Sequence, residues 1–90
     1  MPTRPDQTPP HRAERWSHYR AAVGAKIRAL RLERGLTQDA LAVMSGVARN
    51  VLIDVEHGRR SMLYERIIDI AEALNVPIEA IYSTIEPEIQ

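Results

Sequence analysis

From about Ala13 onward, apolar side chains recur at steps of three and four: Trp16, Tyr19, Val23, Ile27 and Leu30. That spacing lines one face of an α-helix. Gly35 marks its end, because glycine readily takes the left-handed conformation that closes a helix, and Arg34 puts a cation where the dipole favours one. A first helix over about 13–34 is predicted. The segment LTQDALAVMSG follows, with Thr37 as an N-cap, Asp39 in the first turn, Leu41 and Met44 turned inward, and Gly46 as a stop. It predicts a short second helix over about 38–45.

The segment VARNVLIDVEHG is ambiguous by period, since its valines and isoleucine also suit a strand. Leu52, Val55 and Glu56 fall on one side of a helix, Gly58 supplies a stop, and no other segment reads as a partner strand. A third helix over about 48–57 is therefore predicted. Ser61 is a candidate cap for a fourth helix, about 62–74, on which Leu63, Ile67, Ile70, Ala71 and Leu74 make one apolar stripe. Asn75 suits a left-handed C-terminal position. Pro77 opens a fifth helix, about 77–83, with Ile78, Ile81, Tyr82 and Ile85 on its apolar side. Five helices with short joints describe an all-α bundle over residues 13–83.

Composition sets the flanks. Residues 1–10 hold four of the six prolines and few apolar side chains, too few to offset the entropy of ordering. A flexible arm over 1–12 is expected, and an acidic tail over 84–90. Ninety residues make one small domain. The absence of cysteine excludes disulfides, thiolate metal sites and cysteine nucleophiles. The N-terminus lacks the apolar stretch of a signal peptide, and no apolar run approaches the roughly 18 residues that span a bilayer. A soluble, cytoplasmic protein without membrane contact is expected.

A formal charge of zero conceals a gradient. Residues 1–31 carry seven cations against two acids, net +5; residues 61–90 carry one cation against six acids, net −5. Such asymmetry suits either a polyanion-facing end or two solvated faces of opposite sign. His11, His18 and His57 have no metal-ligand spacing, and no nucleophile–base set, P-loop or carboxylate pair is present. Neither an enzyme nor a bound metal or cofactor is expected.

GLTQDALA, SGVARNVL and VEHGRR, in this order and spacing, resemble the phage-repressor/Cro-like (XRE-type) helix-turn-helix family from about Val23 to Tyr82. The resemblance implies a five-helix repressor-like DNA-binding domain whose third helix enters the major groove. Small Ala42 and Gly46 suit the close crossing and tight turn of the motif. It further implies base reading by Arg49, Asn50, Asp54 and Val51, phosphate contact by Gln38, Arg59 and Arg60, and a structural ion pair between Arg31 and Glu56. Chemically, Asn bridges adenine N6 and N7, Arg bridges guanine O6 and N7, and Asp accepts from cytosine N4.

Some positions keep two readings. Asp54 either meets a base or is held by Arg49 or Arg59. Val51 and Ile53 either meet thymine methyls or form a protein-binding patch. Ala48 stands where the family commonly has a capping Ser or Thr. The arm with Arg4, His11, Arg12 and Arg15 either follows a minor groove or is simply disordered.

A sequence-specific regulator of transcription is the leading expectation, binding double-stranded DNA as a homodimer. Ile78, Ile81, Ile85 and Ile89 exceed what a short closing helix needs for its own core and are candidates for the dimer interface. Two alternatives are an antitoxin whose C-terminal segment binds a toxin protein, and a protein-interaction adaptor on the same fold.

Overall fold

The computed structural model describes residues 9–83. The expected arm, from Arg4 to residue 8, and the expected tail, with Ile85 and Ile89, lie outside the described residues. Five helices follow in order: α1 (Pro10–Glu33), α2 (Gln38–Ser45), α3 (Arg49–Glu56), α4 (Tyr64–Leu74) and α5 (Ile78–Tyr82). No strand occurs among the described residues.

Helix α1 begins at Pro10, so His11 and Arg12, expected in the arm, are helical. A proline at the first helical position costs no hydrogen bond and already has helical φ. Only the second half of α1 is covered by the bundle: its buried residues are Gly24, Ile27, Leu30 and Arg31. Tyr19 and Val23 are half-buried, whereas Trp16 remains 48% exposed among the described residues. The apolar period read from Trp16 onward is thus helix throughout but core only at Ile27 and Leu30, with Val23 packed against it.

The core is one cluster: Ile27, Leu30, Leu41, Val47, Leu52, Val55, Ile67, Ile70, Ala71, Leu74 and Ile81. Every helix contributes, and burial of these side chains is the main favourable term in the fold. Met44, expected inward, is 54% exposed; Ser45, one residue on, takes the inward place, and its Oγ accepts from Val47 N at 3.2 Å. Ser61 does not cap α4. That helix starts at Tyr64 with Leu63 at the N-cap and no side-chain cap bond. Leu63 is consequently outside the core stripe and 71% exposed. Asn75 takes the left-handed position, φ 58°, that ends α4, and Pro77 is the N-cap of α5.

Glycine matters most at Gly24, in the middle of α1. A Cβ there would collide with the Val55 carbonyl oxygen and lie 3.0 Å from that of Glu56. Backbone therefore touches backbone where α1 crosses the end of α3. Helix propensity alone predicts that Gly24→Ala gains about 1 kcal/mol. The packing predicts the opposite sign: a loss of about 3 kcal/mol, because the rigid α3 backbone must move. Urea denaturation of the two proteins decides between them, and a stabilised variant would show that the crossing has slack.

Candidate nucleic-acid interface

Helices α2 and α3 are joined by three residues, Gly46–Val47–Ala48. Gly46 has φ 76°, the left-handed geometry that turns the chain sharply without a Cβ clash. Thr37 caps α2, its Oγ1 accepting from Ala40 N at 3.0 Å. Val47, Leu52 and Val55 pin α3 to the core, so the opposite side of α3 is outward. With only eight residues, α3 is too short to be stable alone. The scaffold holds it.

The strongest attachment is polar. The Arg31 guanidinium donates through Nε to Glu56 Oε2 at 2.7 Å and through Nη2 to Glu56 Oε1 at 3.0 Å. Its Nη1 donates to the Leu36 carbonyl at 2.8 Å. Gln38 Nε2 adds a bond to Glu56 Oε1 at 3.1 Å. One buried cluster thereby ties the end of α1, the α1–α2 loop, the start of α2 and the end of α3. No described buried side-chain nitrogen or oxygen lacks a partner. The bonds to Leu36 and from Gln38 leave no periodic signal in the sequence.

The outward residues divide into two groups. At the N-terminus of α3, Arg49 and Asn50 are exposed, beside an Ala48 N-cap that makes no side-chain bond. The uncapped N–H groups there and the helix dipole favour an anion. Arg49 Nε pairs with Asp39 Oδ1 at 2.7 Å, joining the first turns of α3 and α2. At the other end, Arg59 donates through Nε and Nη2 to Asp54 Oδ1 at 3.2 and 3.0 Å. Arg60 Nη2 lies 3.8 Å from Asp54 Oδ2. Gly58, φ 73°, turns this loop back so closely that a Cβ would lie 2.9 Å from Ala21 Cα.

Several expected site residues have other surroundings. Val51 is half-buried and packs against the core cluster, with Met62 also packed there. Its methyl groups are therefore largely committed to the fold. Gln38, expected at a phosphate, uses its amide on Glu56. Ile81, expected at a dimer interface, is fully buried in the core of its own chain, which corrects that expectation. Ile78 is half-buried against the same core. Tyr82, on α5, has its phenol pKa raised above the usual 10.0 by burial and lines a cavity with Val55, Arg60 and Met62. Among the described residues, no group of three or more His, Asp or Glu side chains could hold a metal ion, and no helix is long and apolar enough to cross a membrane.

A short capped helix, a glycine turn and a second helix with one buried and one outward side define a helix-turn-helix on an all-helical scaffold. The chain belongs to the helix-turn-helix family HTH_3, whose model matches residues 27–81. It is 38% identical over 69 residues to an uncharacterized transcriptional regulator in the ATPase CF(0) region of Rhodospirillum rubrum, covering 77% of this chain and 64% of that protein. It is 37% identical over 59 residues to the immunity repressor protein of Bacillus phage phi105, covering 66% of this chain and 41% of the repressor. Among solved structures, the restriction-modification controller protein C.AhdI from Aeromonas hydrophila superposes with a TM-score of 0.68 at 32% identity. That match covers 69% of this chain and 94% of the controller. The chain thus spans less than two-thirds of the length of both named sequence relatives.

Arg31→Ala leaves the Glu56 carboxylate buried without its main partner and should cost about 3–5 kcal/mol in denaturant unfolding. Replacing both ends, Arg31→Met with Glu56→Leu, should cost less than Arg31→Ala alone, since no buried charge is stranded. A double variant as unstable as the single one would mean that the pair's hydrogen bonds, to each other and to Leu36 and Gln38, stabilise the fold beyond relief of a stranded charge. Separately, Ala48 has the extended backbone of an N-cap, φ −60° and ψ 142°, and is exposed. Ala48→Ser should therefore stabilise the fold by about 1 kcal/mol, raising Tm by about 4 °C or more.

Proposed function

We propose that this chain is a sequence-specific transcriptional regulator that binds double-stranded DNA by laying the outward side of α3 in the major groove. The observation that carries this reading is the division of α3. Leu52, Val55 and Glu56 are buried, while Arg49 and Asn50 are exposed at its uncapped start, next to the α2 N-terminus. Exposed, hydrogen-bonding side chains on the first turn of a short, firmly held helix suit the edges of bases. Asn50 bridges adenine N6 and N7 in this reading; Arg49 reaches a guanine or a phosphate. Arg59 and Arg60, in the loop after α3, meet the sugar–phosphate backbone. Gln38, whose amide donates to Glu56, meets a phosphate in this reading only if it exchanges that bond for one to the DNA. Val51 reaches a thymine methyl only with the part of its side chain that the core leaves exposed.

The named relatives support a regulator: they are described as a transcriptional regulator, an immunity repressor and a controller protein. Nothing about them favours the antitoxin or the adaptor; of the segment from Ile78 to Gln90 that would bind a toxin, residues 78–83 are described, and there Ile78 and Ile81 pack on the core of their own chain. A homodimer belongs to the same proposal. Leu63 and Tyr64, 71% and 65% exposed at the start of α4, offer a second copy an apolar contact that Ile81 does not. Half-sites about one helical turn apart follow from a two-fold pair of reading helices. A cytoplasmic location goes with that target.

The test is selection of duplexes from a random pool, followed by titration at several salt concentrations. Arg59→Ala and Arg60→Ala should each flatten the log–log salt dependence by about one unit. Asn50→Ala should relax the preference at one base position while leaving random-sequence binding intact. One protomer per selected duplex in sedimentation would rule out the pairing, and a pool from which no sequence is enriched would refute sequence-specific reading.

A further inference from the structure

None of the three outward arginines of this surface is a bare cation. Arg49 is paired with Asp39, and both Arg59 and Arg60 face Asp54. A surface that attracted phosphate by charge alone would leave them unopposed. Asp54 also runs against the preference of its own helix. It lies in the last turn of α3, where the dipole disfavours an anion, and no basic residue of that turn offsets it. Glu56 has the same disadvantage and is answered by buried Arg31; Asp54, with 34% of its side chain exposed, is answered by two arginines of the following loop. A residue that opposes local helix preference while being held by two neighbours points to a role outside helix stability. Asp39 is different: in the first turn of α2 an acid is favoured, so its position has a structural reason of its own.

We propose that Asp54 is a specificity-determining positioning residue, which fixes Arg59 and Arg60 for a seated reading helix and withholds their charge from non-cognate DNA. This inference rests on the DNA-binding reading above. A guanidinium has five N–H donors in a rigid fork. Arg59 uses Nε and one Nη2 bond on Asp54, so its Nη1 donors remain for a phosphate. With α3 seated in the groove, the fork meets the backbone without leaving Asp54. On an arbitrary duplex α3 is not seated, and the arginines reach phosphates only by swinging away. Each swing breaks a pair and presents a bare carboxylate to a polyanion. Exposed pairs are individually weak, so the effect is a graded bias rather than a lock.

The full chain is titrated against a random-sequence duplex and a duplex recovered by selection. Asp54→Asn keeps the shape and removes the charge. It should bind the random duplex about three- to tenfold more tightly at low salt, with a steeper salt dependence, and the selected duplex within about twofold of the parent. Asp54→Glu should restore the ratio between the two. The melting temperature of the free protein should stay within about 2 °C, which separates positioning from a structural role. Random-duplex affinity that is unchanged or lower overturns the proposal. So does a new base preference when Asp54→Asn is put through selection, the mark of a direct base contact. If the parent protein binds neither duplex, the DNA-binding reading itself fails and this inference fails with it. Parent binding that is blind to Asp54→Asn overturns the inference alone.

Discussion

The Arg31–Glu56 pair is the constraint on which the rest of the molecule depends. Two charges are taken out of water, with side-chain exposures of 9% and 1%, and that arrangement is tolerable only because each of their nitrogen and oxygen atoms has a hydrogen-bond partner. Such a cluster adds less net stability than its short distances suggest. What it does is define geometry: the fork of one guanidinium admits few orientations of α1 and α3, and the Leu36 carbonyl fixes the loop between. Gly24 enforces the same crossing sterically from about two turns further back along α1. A polar clamp and a backbone contact thus set the position of α3 from two points, and the apolar core fills the space between them.

Much of this was legible in the chain, and the failures have a common cause. Helix order and the stops at Gly35, Gly46 and Asn75 could be read because they depend on local chemistry: period, φ preference and dipole. Arg31 and Glu56 were expected to meet through a family resemblance, and the structure brings them to 2.7 Å. Spacing alone would not have joined residues 25 apart. Trp16, Met44, Leu63 and Ile81 were misplaced because periodicity tells which side a residue is on but not whether a neighbour covers it. For Trp16 and Met44 the cover is missing; for Ile81 it is complete. Leu63 fell outside its helix because Ser61 made no cap and the helix started later.

The outward surface was the least legible part. Residue types were readable, and Arg59 was one of two arginines expected to hold Asp54, but the choice between them and the pairing of Arg49 with Asp39 depend on the angle between α2 and α3 and on the turn at Gly58. Both are tertiary facts. They change the character of the surface from a set of free cations to a set of occupied ones, in which a new anion must compete with an existing partner.

Helix α3 contributes to its own stability almost nothing that its outward residues supply. It is short, uncapped and acidic at its far end, and it is held by Leu52, Val55, Glu56 and the Gly24 crossing. The positions that would choose a target, Arg49 and Asn50, are excluded from that list. Mutational drift at these positions is therefore cheap: under the proposed function a changed side chain would alter what is read without threatening the fold. If α3 reads DNA as proposed, a lineage built on this scaffold could be re-addressed to new sequences by a few substitutions, whereas a change at Arg31 or Gly24 would remove the platform that holds the helix.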